Sequence, residues 1–397
     1  MHVAHFLPKF LPITEAWLGD TFTSLKKLKV VQSFYTLATI PNINYSVPSG
    51  DYFCYHDQGI VRKSVYRLKG LFTGKDPSSL YWFSELSHRK PDVIHVHFAH
   101  LAGRVFPLAQ KLKIPAVISV YGTDILQYTT KDKFPKFVYE SFMQYRYILC
   151  TSTYLKTHLI KLGIPEQKII VWYLGVDTTV FTLGNLPDAQ KNIDVLCNAR
   201  FVWFKGHTHL LKAIPGLLHT YPDLQVWLIG DGPFKNDIIR EIHTLGISRH
   251  VRLIGTKPHS DIPQLLQQTK IYIQPSTADR FKEEALGMAL VEACACGIPV
   301  IGTRSGGIPE VISHNKNGFL TPDRNPEALA RAIRTLLSNK VKRQKFGRES
   351  RNMAVSRFNL PKQAHALKDI YTKISNRTYA TCHCEERSDA AISYSAT

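Results

Sequence analysis

A chain of 397 residues with 44% hydrophobic and 20% charged residues exceeds the size at which one hydrophobic core usually stops growing, so two domains are expected. Fifty Lys and Arg against 31 Asp and Glu give a formal charge of +19, which favours an anionic partner; these cations are spread over both halves without a zinc-finger, RRM or basic-zipper pattern, which argues against nucleic acid. No apolar run reaches membrane-spanning length, the N-terminus lacks the basic start and apolar core of an export signal, and seven scattered cysteines suit a reducing compartment, so a cytoplasmic protein is expected.

In chain order, short apolar runs predict strands at His2–Leu7, Val30–Thr36, Val93–His97, Ala116–Val120, Tyr147–Thr151 and Ile169–Tyr173, with helices such as Glu15–Leu28 and Ala99–Leu112 between them. That alternation is the signature of parallel βαβ units. Two basic clusters stand out, Lys26, Lys27 and Lys29, and then Arg62, Lys63, Arg67, Lys69 and Lys75. In the second, Val61, Val65, Leu68, Leu71 and Phe72 recur near helical spacing, which fits a helix lying in a membrane interface and an ordinary solvated helix equally well. The polar, aperiodic stretch Leu183–Asn192 reads as the interdomain linker.

The pattern then restarts, with strands at Ile193–Asn198, Gln225–Ile229, Val251–Ile254, Ile271–Gln274 and Pro299–Thr303. Helices are expected at His207–Tyr221, Phe234–Leu245, Ile262–Gln268, Ala285–Cys296 and Pro326–Leu337. The fold class is therefore α/β, as two doubly wound Rossmann-like domains over 1–182 and 183–360 that face a cleft. Residues 376–397 are polar and Ser-rich and read as a disordered tail. Cys382-His383-Cys384 lies in that tail without a second ligand pair at zinc-like spacing, so no metal site is assigned.

Several segments carry chemistry. Glu284 and Glu292, with seven residues between them including Gly287, would stand roughly 12 Å apart along one helix if the segment were helical throughout, with backbone N–H groups between them suited to a hydroxyl-rich anion. Arg200 and Lys205-Gly206 follow a strand and precede a helix, a plausible diphosphate clamp or simply solvated cations. Gly306-Gly307 after another strand permits a close backbone approach to phosphate, or is only a tight turn. Gly230-Asp231-Gly232-Pro233 lacks the third glycine of a dinucleotide fingerprint, which argues against NAD. In the first half His97, Tyr121 and Asp124 fall at strand ends, where they would either handle a hydroxyl nucleophile or serve the core.

Together and in order, Gly175-Val176-Asp177 with Phe181, Ala199-Arg200 with Lys205-Gly206, Leu228 to Pro233, the Glu284/Glu292 pair, and Gly297 to Val300 with Gly306 to Glu310 resemble the family 4 glycosyltransferases, retaining enzymes of the GT-B fold. The resemblance runs from about residue 1 to 375. It implies a first domain that binds acceptor, a second that binds a UDP- or GDP-sugar, and a helix over 361–375 that returns to the first domain, with Phe358-Asn359 a candidate hinge. Arg200, Lys205 and Glu284 would be catalytic, the cations on the departing diphosphate and Glu284 on the sugar. Glu292 would take the ribose hydroxyls, the amides of Gly287, Met288, Ala289 and Leu290 the anion, and Gly306 and Gly307 the donor phosphates. His97, Tyr121 and Asp124 would lie on the acceptor side.

No metal and no cofactor are implied beyond the donor sugar. Tyr121 stands where many members have His, and the loop Pro8–Thr14 lacks the glycines that many relatives carry. The runs Asp92–Ala102 and Tyr121–Asp124 look most like members that build exopolysaccharide, colanic-acid type polymer or lipopolysaccharide. The expected acceptor is a glycan or lipid-linked glycan at the inner face of the cytoplasmic membrane, with an anionic membrane surface as a further partner. A sugar-nucleotide epimerase of the same fold and a non-catalytic nucleotide-sugar or membrane scaffold are the alternatives.

Overall fold

Runs of Val, Ile, Leu and Phe buried on both faces make the strands of two all-parallel sheets, as expected where helices cover each side. The structure, a computed structural model, describes residues 1–9, 15–38, 50–278 and 282–392, without the side chains of 131 and 377–392. The first sheet comprises β1 (His2–Lys9), β2 (Val31–Ala38), β3 (Asp51–Cys54), β4 (Val93–His97), β5 (Ala116–Val120), β6 (Tyr147–Cys150) and β7 (Ile169–Val171), in the order β3-β2-β1-β4-β5-β6-β7. The second comprises β8 (Ile193–Asn198), β9 (Val226–Ile229), β10 (Val251–Gly255), β11 (Thr269–Gln274), β12 (Val300–Thr303) and β13 (Gly318–Thr321), in the order β10-β9-β8-β11-β12-β13. Strand order reverses between β1 and β4 and between β8 and β11, registered as Val3 with Val93 and Val195 with Ile271. Those reversals open the crevices in which such sheets bind ligands, and the loops after β4, β8 and β11 carry the motifs named above.

Several elements were not named from the sequence, and three of them show why. The edge strand β3 has only four residues, two of them exposed, which is too short to show alternation. Strand β13 begins with Gly318, normally a poor strand residue; a Cβ there would lie 2.0 Å from the Val300 carbonyl oxygen, so only glycine admits the β12 ladder. Helix Lys340–Arg357 is so polar that its apolar side, Phe346 and Ala354, gives no clear period. The basic segment near Val61 is a helix, Ile60–Thr73, ended by Gly74 in the left-handed region at φ 65°.

The stretch 183–192, expected as the linker, is tied to the second domain by the Asp188–Arg343 ion pair, and Val176 and Phe181 already belong to that domain's core. The chain crosses earlier, at Gly175–Asp177, beside its return crossing at Phe358–Leu360. Val176 N–H donates to Phe358 O at 2.8 Å, and Leu360 N–H to Val176 O at 3.0 Å. A Cβ on Gly175 would meet Leu360 Cα at 2.4 Å, so the two crossings touch backbone to backbone.

The final helix, Leu360–Ile392, then lays Ala364, Leu367, Tyr371 and Ile374 against Leu18, Phe22 and Leu25 of helix Ala16–Lys27 in the first domain. Residues 10–14, which hold most of the glycine-free loop, lie outside the described residues, as do the side chains of the tail from 377, including Cys382, His383 and Cys384. Five described cysteines, Cys54, Cys150, Cys197, Cys294 and Cys296, are buried free thiols. Among the described residues no helix is long and apolar enough to cross a membrane.

Candidate functional site

Helix Met288–Ala295 starts later than the apolar pattern suggests, because Gly287 takes φ 91° and breaks the helical path just before it. Glu284 therefore sits in the loop ahead of the helix, while Glu292 stays on it, so the segment is not helical throughout and the two carboxylates do not share one helix. That loop is held from behind by the turn Ser305–Gly307: Gly307 N–H donates to Glu284 O at 2.9 Å. Cβ atoms on Gly306 and Gly307 would lie 1.9 and 2.1 Å from the carbonyl oxygens of Glu284 and Ala285. What these two glycines admit in the structure is the backbone that carries Glu284.

The Glu284 carboxylate is buried and collects three donors on Oε2: Lys205 Nζ at 2.7 Å, Gln274 Nε2 at 2.9 Å and Ser276 Oγ at 3.0 Å. Lys205 reaches it because Gly206 follows in the left-handed region at φ 72°, where a Cβ would strike the Pro275 carbonyl oxygen at 1.8 Å. Arg200, from the same loop, is exposed and forms no ion pair among the described residues. At the helix start Leu290 N–H already donates to Gly287 O at 3.0 Å, so of the four amides named from the resemblance, that of Leu290 is engaged within the chain. Met288 and Ala289 head the helix, where N–H groups have no intrahelical partner.

Glu292 has a partner that sequence reasoning missed. His259 Nε2 lies 2.9 Å from Glu292 Oε1, and its Nδ1 is 3.9 Å from Asp20 of the first domain. Burial works to lower the His259 pKa, but the hydrogen bond and charge of Glu292, with Asp20 behind, raise it overall. Asp20 itself is pushed up to about 6, by burial first and by Glu292 and Asp177, against the opposing pull of His259.

The first domain contributes differently from expectation. Asp124 spends its carboxylate on the backbone N–H groups of Ala99 at 3.0 Å, Tyr121 at 3.0 Å and Gly122 at 2.9 Å, and so ties two loops together. His97 is buried, with Nδ1 2.6 Å from Tyr121 Oη and Nε2 3.1 Å from His5 Nδ1; burial, then the neighbouring His95 and His5, hold its pKa well below the ordinary value. These two are therefore supports, and only Tyr121 of the three is partly exposed. Trp17 and Phe98 flank its ring at centroid distances of 4.7 and 4.9 Å.

Phe98 holds φ at 76°, a strained value for an aromatic residue, as it leaves β4. Sequence reasoning also missed Glu15, whose carboxyl is pushed up to about 7 by burial and by Asp124. His5, His95 and His97 are the three residues whose ligand-type atoms converge among those described. His95 is already bonded to Tyr371 Oη at 2.5 Å and Ser119 Oγ at 2.7 Å, so the cluster is a hydrogen-bonded core and no metal is assigned to it.

The two halves meet at these loops. A Cβ on Gly122 would come within 2.9 Å of Ala285 Cβ, and Met288 packs in one apolar cluster with Tyr121 and Phe98. A Lys–Glu pair with its carboxylate buried and a helix N-terminus thus face an aromatic, hydroxyl-bearing wall, an arrangement that can hold an anion on one side and a polyol on the other.

Comparison with known proteins fits this geometry. Residues 184–353 match the model for glycosyl transferases group 1, and residues 45–180 match that for glycosyltransferase family 4. The chain is 28% identical over 286 residues to an uncharacterized glycosyltransferase, MJ1178, of Methanocaldococcus jannaschii, covering 72% of this chain and 76% of that one. It is 30% identical over 251 residues to the amylovoran biosynthesis glycosyltransferase AmsK of Erwinia amylovora, covering 62% of this chain and 61% of that one. Among solved structures, Anabaena Alr3699/HepE in complex with UDP has a TM-score of 0.75 at 18% identity, covering 94% of this chain and all of that one, a likeness of fold.

Proposed function

Because the chain belongs to the family 4 glycosyltransferases, we propose that it moves a sugar from a UDP- or GDP-sugar, with retention of configuration, to a glycan or lipid-linked acceptor in cell-surface polysaccharide synthesis at the inner face of the cytoplasmic membrane. The observation that carries this reading is the Lys205–Glu284 pair beside the N-terminus of helix Met288–Ala295, facing Tyr121 across the cleft. Glycosyl transfer leaves growing negative charge on the departing diphosphate, and preorganised cations and amides lower that barrier. Lys205 and Arg200 supply the cations, and Met288 and Ala289 the amides. Glu284 orients sugar hydroxyls, Glu292 the ribose, and same-face attack assisted by the leaving phosphate needs no protein nucleophile. UDP in the complexes of the Anabaena fold neighbour favours uridine as the base, and the amylovoran relative favours an exopolysaccharide.

Thermal-shift measurement with UDP, GDP, ADP and their sugars tests the donor. One nucleotide should raise the apparent melting temperature by mass action, worth about 2.7 kcal/mol at a hundredfold excess over Kd. Glu292→Ala should weaken that binding about tenfold or more. Glu284→Gln should keep nucleotide binding yet slow transfer about 10²- to 10³-fold. If no nucleotide shifts the wild-type protein, or Glu292→Ala binds as the wild type does, the reading fails.

A further inference from the structure

Helix Ile60–Thr73 turns its back on the protein. Only Tyr66 and Gly70 are buried, while Ile60, Val61, Leu71 and Phe72 are 82, 80, 82 and 83% exposed, and Val65 and Leu68 are exposed beside them. At about 100° per residue these six side chains fill one continuous arc of about 140°, opposite the buried pair. Cations border the arc on both sides, Lys63 and Arg67 along one edge and Arg62 and Lys69 along the other. The acids nearby are engaged: Glu85 pairs with Arg62, and Asp76 caps the next helix through Ser79 N–H at 2.9 Å. Lys69 Nζ lies 5.7 Å from the centroid of the Tyr66 ring.

We propose that this helix is the surface by which the protein docks on an anionic phospholipid bilayer, with Ile60, Val61, Val65, Leu68, Leu71 and Phe72 entering the headgroup–acyl boundary and Lys63, Arg67 and Lys69 meeting lipid phosphates. Charge chooses the occupant. A second copy set against the same face would place these rows of cations opposite one another, whereas anionic headgroups complement them. A helix of about 21 Å with a broad apolar face and basic edges has the shape of an interfacial anchor. It follows β3, the edge strand of the first sheet.

The inference stands apart from the donor assignment, since vesicle binding needs no nucleotide. The full-length protein is sedimented with vesicles of phosphatidylcholine alone and of phosphatidylcholine mixed with phosphatidylglycerol, at low and high salt, while light scattering reads its oligomeric state. Binding is expected only to the anionic vesicles and should weaken with salt. Leu71→Glu/Phe72→Glu should lower the partition coefficient about tenfold or more, and Lys63→Gln/Lys69→Gln about fivefold per lysine. Both variants should keep the wild-type melting temperature. Wild type that ignores anionic vesicles, a double Glu variant that binds as well as wild type, or a dimer that this variant converts to monomer would each overturn the proposal.

Discussion

His5 on β1 and His95 and His97 on β4 stack inside the first domain, the latter two with ring centroids 4.0 Å apart, and burial keeps all three neutral. The folded pKa of His95 is pushed down to about 3, and those of His5 and His97 lie well below the ordinary 6.5. Below pH 6.5 the unfolded chain takes up protons that the folded one refuses. Their contribution to stability is therefore complete above pH 6.5 and is lost as pH falls towards 3, at up to ~1.4 kcal/mol per pH unit for each histidine. Glu15 and Asp20 act in the opposite sense, since their raised pKa values favour the folded state in acid and cost stability as pH rises through about 7 and 6. The histidine share is read by difference: thermal denaturation between pH 4 and 6.5 should be less steep in pH for His95→Gln than for wild type, by ~1.4 kcal/mol per unit. Equal slopes would show that His95 takes up a proton in the folded protein.

At the scale of elements, Gly306 and Gly287 place Glu284 more than any helix does. Gly306→Ala would drive a Cβ to 1.9 Å from Glu284 O at a φ of 53°, so the loop must move. Calorimetry should show stability reduced by about 2 kcal/mol or more and nucleotide-sugar affinity lowered with it; a variant with unchanged affinity would show that the turn does not hold Glu284. The spacing of Glu284 and Glu292 was legible in the sequence, as were ten or more of the strands by their β-branched runs. What spacing hid was the left-handed glycine between the two carboxylates, which takes Glu284 off the helix. His259, 33 residues before Glu292, was hidden because a lone loop histidine carries no pattern. Between the two readings left open for Asp124 the sequence could not choose, since three backbone donors claim its charge and backbone geometry is invisible in a list of residues.

Across the whole molecule, Glu310 of the second domain caps a helix of the first. Its carboxylate accepts from Thr153 N–H at 2.9 Å and Tyr154 N–H at 2.8 Å, at the start of helix Thr153–Lys161, and from Tyr173 Oη at 2.8 Å. Glu310→Ala should disfavour this arrangement of the two domains by about 1–2 kcal/mol. X-ray scattering should then show a larger radius of gyration and kinetics a lower kcat, with donor-nucleotide affinity retained; unchanged scattering and kcat would remove Glu310 from any role in holding the domains together. The paired crossings at Val176 and Phe358–Leu360 decide what kind of motion closure can be. Two tethers fixed side by side behave as an axle, stiff to sliding and soft to twist, so the domains pivot and do not glide. In a pivot of this kind the residues beside the axle travel least, and the paired crossings at Gly175–Asp177 and Phe358–Leu360 are that axle.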